Sequence, residues 1–147
     1  MPDRIPNDPH TRRFYKAEDF LKSEAAEMTL AECRSFVRRI MRSDYVSINH
    51  GFRTPLIIGD GRGWIAARAT FDEFDRPVIQ LPRWARNKYV ILHEVAHHLV
   101  MRFDEEMTNH KGLFIDVLLD LVRLELGERA YIKLRLSLFF HRVRLRH

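Results

Sequence analysis

Residues 90–100 place the pattern His-Glu-x-x-His inside an apolar run, and this pattern constrains the fold more than any other feature of the sequence. In an α-helix, residues four apart lie on one face, so His93 and His97 can direct their imidazole rings at a single ion. Glu94 lies about 100° round the helix from His93, which brings its carboxylate beside the ion without making it a ligand. We therefore predict a buried helix that binds Zn²⁺ through both histidines and carries Glu94 as the general base for water.

The third ligand is expected downstream, because a catalytic zinc ion usually has three protein ligands and keeps one position for water. Twelve residues separate His97 from His110, which is enough for one helix to end and another to begin. The apolar run that follows predicts this second helix, with Asn109 as its N-cap and Gly127 at its end. We therefore predict His110 as the third ligand. Its competitors are three carboxylates of the intervening segment, Asp104, Glu105 and Glu106.

The motif helix and the segment His110-Lys111-Gly112-Leu113-Phe114 resemble the small zincin-type metallohydrolases related to the SprT-like group. The resemblance is greatest to short metallohydrolases of actinobacteria and their phages, and residues 81–86 also share it. In that pattern the third ligand opens a His-Gly-x-x-Phe segment, whereas Lys111 stands at the Gly position here. The resemblance covers roughly residues 78–140. It implies a zinc-dependent hydrolase that cleaves peptide bonds, and it names no substrate.

Several other residues are candidates for supporting roles in such a site. Hydrolysis requires a donor that stabilises the developing oxyanion, and His98, Tyr131 or Arg86 could supply it. A carboxylate that orients a ligand imidazole is also expected, with Asp116 as the first candidate and Asp120 as the second. Each of these side chains can equally be a surface residue or a simple neighbour, and sequence alone does not place them.

The remaining pattern predicts an α+β fold, in which a small antiparallel sheet packs on helices that include a zincin-like motif helix. Residues 1–14 contain several prolines and are expected to form a loose arm, and residues 15–147 are expected to form a single domain. A capping box formed by Thr29 and Glu32 predicts an amphipathic helix that ends near Arg42.

The sheet is expected in the middle of the chain, where short apolar segments alternate with turns. Residues 64–71 follow the period-two pattern of a half-buried strand, and a glycine-rich turn over residues 59–63 is expected to join them in a hairpin to residues 56–58. An acidic turn over residues 72–76 is expected to lead to the next strand at residues 77–81, and residues 45–49 are a candidate for a fourth. An extended peptide substrate could pair with either residues 64–71 or residues 77–81 as the edge strand.

Charge is concentrated at the carboxyl end of the chain. Residues 1–127 contain 19 Lys and Arg against 19 Asp and Glu, so the net charge of +5 arises entirely from the last twenty residues. The basic terminal helix expected there could contact the phosphates of a nucleic acid. It is also an ordinary solvated helix face, because no aromatic residues interleave with the arginines of residues 141–147.

The single cysteine, Cys33, excludes both a disulfide framework and a cysteine-based zinc finger. It falls on the apolar face of a predicted helix, so we expect a buried and unreactive thiol. No apolar run reaches the roughly 18 residues of a membrane span, and the N-terminus does not begin a signal peptide. We therefore expect a cytoplasmic protein without a membrane partner.

Two alternatives to a hydrolase belong to other functional classes. One is a binding module whose zinc ion is structural or whose activity is lost, with a possible association with nucleic acid. The other is a nuclease with a three-histidine site, which ranks last because Glu94 would have no defined role in it.

Overall fold

The computed structural model describes residues 9–51, 55–101 and 112–145, and within these ranges it contains six α-helices and three β-strands. The helices are α1 (Pro9–Glu24), α2 (Leu30–Met41), α3 (Asp44–His50), α4 (Lys88–Val100), α5 (Gly112–Leu126) and α6 (Glu128–Phe140). The strands are β1 (Ile57–Gly59), β2 (Arg68–Phe71) and β3 (Pro77–Gln80), and a 3-10 turn spans Arg83–Ala85. The predicted α+β class is confirmed.

The described residues group into two compact units. The first lies within Ala26–His98 and contains α2, α3, the three strands and most of α4. The second is formed by the described parts of Arg4–Ala25 and Leu99–His147, which contain α1, α5 and α6. Because α1 begins at Pro9, the prediction of a loose arm is wrong for residues 9–14.

The amphipathic pattern of α1 explains this difference. Phe14, Ala17 and Leu21 are buried at helical spacing, and Thr11 is buried one turn before Phe14. Proline is compatible with the first position of a helix, because the amide hydrogen that it lacks would have no partner within the helix.

The capping box predicted at the start of α2 is present. The amide of Glu32 donates to Thr29 Oγ1 (3.1 Å), and the amide of Thr29 donates to Glu32 Oε1 (3.0 Å). The helix ends at Met41 with Arg42 as its C-cap, as predicted. Cys33 is fully buried, and this burial raises the pKa of its thiol above the ordinary value of 9.0.

Residues 45–49 lie in helix α3, so the prediction of a fourth strand at these residues is wrong. The amide of Val46 donates to Ser43 Oγ (3.3 Å), which caps a new helix directly after α2 ends. The apolar and β-branched residues of this segment therefore follow a local capping signal rather than a period-two pattern.

The sheet is mixed, which corrects the expected antiparallel sheet. Its strand order is β1-β3-β2, with β1 parallel and β2 antiparallel to β3. The predicted hairpin between residues 56–58 and 64–71 is therefore wrong, and only Arg68–Phe71 of the second segment is a strand. Gly61 has φ 68°, and a Cβ at this position would collide with the backbone nitrogen of Pro82. Because Gly61 has no side chain, its backbone can lie close to the end of β3. This is the role of the glycine, rather than closing a hairpin.

The turn that joins β2 to β3 forms as predicted. The amide of Asp72 donates to the carbonyl of Arg76 (2.9 Å). The Asp72 carboxylate accepts hydrogen bonds from the amides of Phe74 and Arg76 and from the Arg76 guanidinium. These bonds hold the pKa of Asp72 below its ordinary value, and the bond from the Arg76 amide has the largest effect.

In the second unit α1 and α5 both contact α6. The rings of Phe14 and Phe114 meet edge to face with centroids 5.7 Å apart. The hydroxyl of Ser137 donates to the carbonyl of Ala17 (2.6 Å), which ties α6 to α1. Helix α5 ends before Gly127, which has φ 96°, as predicted. Within the described ranges, every helix is too short or too polar to cross a membrane.

Candidate metal centre

The helix that carries the His-Glu-x-x-His motif is capped and deeply buried. Asn87 precedes α4, and its Oδ1 accepts a hydrogen bond from the amide of Val90 (2.9 Å). This cap satisfies one of the amides that have no partner within the helix. The predicted apolar flanks of the motif are all buried: Tyr89, Val90, Ile91, Leu92, Val95, Leu99 and Val100. The motif therefore occupies a fixed helix inside the protein.

The two histidines of the motif lie together as the i, i+4 spacing predicts. Their Nε2 atoms are 3.2 Å apart, and their ring centroids are 4.9 Å apart. Two nitrogens bound to one tetrahedral zinc ion are separated by about 3.3 Å, given Zn–N bonds of about 2.05 Å. The separation of His93 and His97 is thus suited to a shared ion. It also permits one protonated ring nitrogen to donate to the other.

The carboxylate of Glu94 lies beside this pair and is held by the backbone of β2. Its Oε2 is 3.9 Å from His93 Nε2, and its Oε1 accepts a hydrogen bond from the amide of Ala69 (3.0 Å). The Glu94 side chain is only 9% exposed. A buried carboxylate is costly unless hydrogen bonds compensate it, so the Ala69 amide both stabilises Glu94 and fixes its orientation.

The amide of Ala69 points toward the outer edge of the sheet. Ala69 and Phe71 are aligned with Ile79 and Pro77, whereas Thr70 is aligned with Val78. The backbone bond from Asp72 to Arg76 identifies the hydrogen-bonded pairs, which alternate along an antiparallel ladder. The backbone groups of Ala69 and Phe71 therefore face away from β3. In the strand order of the described sheet, β2 is terminal, so the Glu94 carboxylate lies at the edge of this sheet on the side of β2 away from β3.

The predicted third ligand, His110, and the competing residues Asp104, Glu105 and Glu106 lie outside the described residues. The described ranges alone contain no cluster of three or more His, Cys, Asp or Glu side chains arranged to hold a metal ion. The geometry thus brings together two of the three predicted ligands and the predicted base. The assignment of His110 stays a prediction.

Two of the candidates for supporting roles have structural contacts of their own. The Arg86 guanidinium donates to the carbonyls of Leu81 (3.1 Å) and Asp60 (3.0 Å). The Tyr131 hydroxyl accepts a hydrogen bond from Arg135 (2.8 Å). His98 is buried at the end of the motif.

The two carboxylates that could orient a ligand imidazole, Asp116 and Asp120, both lie on α5 in the second unit. Asp116 is half-buried, and Asp120 is exposed. The expected role of either carboxylate in orienting a ligand imidazole stays a prediction.

Asn87 and Ala69 are parts of the site that were not predicted from the sequence. An Asn directly before an apolar helical run is a capping signal, so the role of Asn87 could have been found. The contact of Ala69 uses only its backbone amide and joins residues 25 positions apart. No side-chain pattern indicates such a contact.

Comparison of the chain with protein-family models, curated proteins and solved structures found no match.

Proposed function

We propose that this protein is a zinc-dependent hydrolase that cleaves peptide bonds. The observation that carries the proposal is the 3.2 Å separation of the two histidine Nε2 atoms beside a carboxylate held at the edge of a sheet. Two imidazole nitrogens are a donor set typical of zinc, and His93, His97 and His110 would hold the ion. Zinc, when bound, lowers the pKa of a water to about 7 and polarises a carbonyl.

Glu94 supplies the proton transfers in this proposal. Its carboxylate accepts a proton from the attacking water as the oxygen of that water bonds to the scissile carbonyl carbon. The same proton then passes to the leaving amide nitrogen as the carbon–nitrogen bond breaks. The Ala69 amide fixes Oε1, so Oε2 is the atom that we assign to this transfer.

The edge of β2 that faces away from β3 would bind the substrate. An extended peptide can add to a terminal strand through backbone hydrogen bonds, independently of most of its side chains. The outward groups of Phe71 and the carbonyl of Ala69 are positioned for these bonds by the register of β2. A peptide bound there would run past Glu94, because Glu94 contacts the same edge. This favours proteins or peptides as the substrate class.

Metal analysis and turnover of matched variants test the proposal. Glu94→Gln is expected to retain one zinc ion per chain and to lose turnover by about 10²–10⁴-fold, the usual contribution of a general base. His97→Ala is expected to lose the zinc ion. His50→Gln is the control, because it removes a buried histidine of α3 that lies outside the motif helix. Unchanged zinc content in His97→Ala would overturn the assignment.

Substitutions in the segment before α5 test the third ligand. His110→Ala is expected to release zinc, whereas Asp104→Asn, Glu105→Gln and Glu106→Gln are expected to retain it. Turnover is measured on denatured casein, with cleavage sites identified by mass spectrometry. X-ray absorption spectra that show four protein ligands and no water would instead favour a structural zinc site.

A further inference from the structure

Helix α6 carries apolar side chains on two opposite faces. Leu134 and Leu138 are fully buried on the inner face of α6, the helix that contacts α1 and α5 in the second unit. Leu136 lies about 200° round the helix from Leu138, so it points outward. Phe139 and Phe140 are 78% and 81% exposed. A contiguous exposed apolar surface of this kind is typical of an interaction site.

The chain reverses after α6 and forms one wall of a groove along the outer face. Arg142 has φ 59°, its amide donates to the carbonyl of Phe139 (3.0 Å), and the amide of Val143 donates to the carbonyl of Leu138 (2.8 Å). These two bonds form a Schellman motif, which directs residues 143–145 back beside the helix. The resulting groove has a volume of about 540 Å³. It is lined by Ile132, Arg135, Leu136, Phe139, Val143, Arg144 and Leu145.

The charged side chains that line this groove have one sign. Residues 129–145 contain five Lys and Arg and no Asp or Glu. Arg135 and Arg144 line the groove itself, and both are exposed. An occupant that buries the apolar surface must therefore place negative charge near these two guanidinium groups.

We propose that the groove formed by the outer face of α6 and residues 143–145, the α6 groove, binds an acidic amphipathic helix of a partner protein. Ile132, Leu136 and Phe139 follow the i, i+4, i+7 spacing of a helix-recognition surface. The arginines select for acidic residues beside the apolar anchors of the partner. A second copy of this chain is a poorer occupant, because a two-fold symmetric contact would bring the arginines of both copies together.

Two synthetic helical peptides serve as probes. They share leucines at i, i+3, i+4 and i+7 and differ only in having Glu or Lys at the remaining positions. Fluorescence anisotropy with the 147-residue chain measures their binding at low and high salt. The Glu peptide is expected to bind at least about tenfold more tightly than the Lys peptide, and salt should reduce this difference.

A double variant tests whether the apolar side chains that line the groove bind the peptide. Leu136→Ser with Phe139→Ser is expected to weaken binding of the Glu peptide by about tenfold or more, because central apolar anchors dominate helix recognition. The control is Ile48→Ser with Phe74→Ser, which removes similarly exposed apolar side chains from the first unit. Circular dichroism establishes that both variants fold.

A charge double variant tests the selection for acidic residues. Arg135→Gln with Arg144→Gln is expected to reduce the preference for the Glu peptide over the Lys peptide to less than about threefold. The control, Arg34→Gln with Arg38→Gln, removes the same charge from exposed positions of α2 and should keep the preference.

Four outcomes would overturn the proposal. The Glu peptide could fail to bind, or both peptides could bind equally. Analytical ultracentrifugation could give a dimer that the apolar double variant dissociates, which would assign the groove to a second copy. A single-stranded oligonucleotide could bind in place of the peptide and lose affinity in both groove variants, which would assign the face to nucleic acid.

Discussion

The hydrogen bond from the Ala69 amide to Glu94 predicts that removal of this backbone amide hydrogen will lower activity. Ala69→Pro removes this amide hydrogen and leaves the charge of every side chain unchanged. Proline is tolerated at an edge position whose amide is not part of the ladder, and Ala69 faces outward in this way. A hydrogen bond to a charged group contributes about 1.5–3 kcal/mol. If the bond is needed in the transition state, its loss lowers turnover by about 10- to 150-fold.

Turnover, zinc content and thermal unfolding of this variant are measured together. Ala69→Pro is expected to retain one zinc ion per chain, because neither histidine is changed. A loss of about 1.5–3 kcal/mol corresponds to a decrease in Tm of about 3–12 °C for a chain of this size. Ala69→Gly is the matched control, since it keeps the amide and should keep most of the activity. Thr70→Pro removes an amide that the ladder uses and should lower the Tm further.

Native turnover in Ala69→Pro with zinc bound would show that Glu94 does not need the Ala69 amide. An equal loss of activity in Ala69→Gly and Ala69→Pro would show that the side chain of residue 69, rather than its amide, is responsible.

Three further predictions concern the stability and chemistry of the scaffold. Thr29→Ala removes the α2 cap and is expected to lower the free energy of unfolding by about 1 kcal/mol, as measured by denaturant titration. Cys33 is expected to react with a thiol reagent at pH 8 only when the protein is unfolded, because burial raises its pKa; rapid labelling of the folded protein would contradict this. The hydrogen bond from Arg123 lowers the pKa of Glu128, so the stability it contributes is present above the ordinary carboxyl pKa of 4.5 and is lost as the pH falls through the lowered value. In Arg123→Gln, NMR titration should return the Glu128 pKa toward 4.5.

Features set by neighbouring residues were predicted well from the sequence. The capping box at Thr29, the turn after Asp72 and the end of α5 at Gly127 all depend on contacts within a few residues. His93 and His97 lie together for a similar reason, because positions four apart in a helix share a face. Each of these features is encoded by the residues that form it.

Features that depend on distant partners were not predicted. Period-two alternation identifies a strand but not its neighbour, so the parallel pairing of β1 with β3 could not be read from it. Gly61 falls in the predicted hairpin turn, and its contact with Pro82 could not be predicted because Pro82 is distant in sequence. Residues 45–49 had strand-like composition, and the cap at Ser43 determined their helical structure instead. The contact of Glu94 with Ala69 was missed because it involves a backbone group.

The use of a main-chain amide to hold Glu94 has a consequence for how this protein can diverge. Nineteen of the twenty amino acids supply the same N–H group at position 69, so drift at that position leaves the contact intact. Only proline is excluded. In an evolutionary record of such chains, position 69 should vary in side chain while avoiding proline, and the proposed function requires position 94 to stay glutamate.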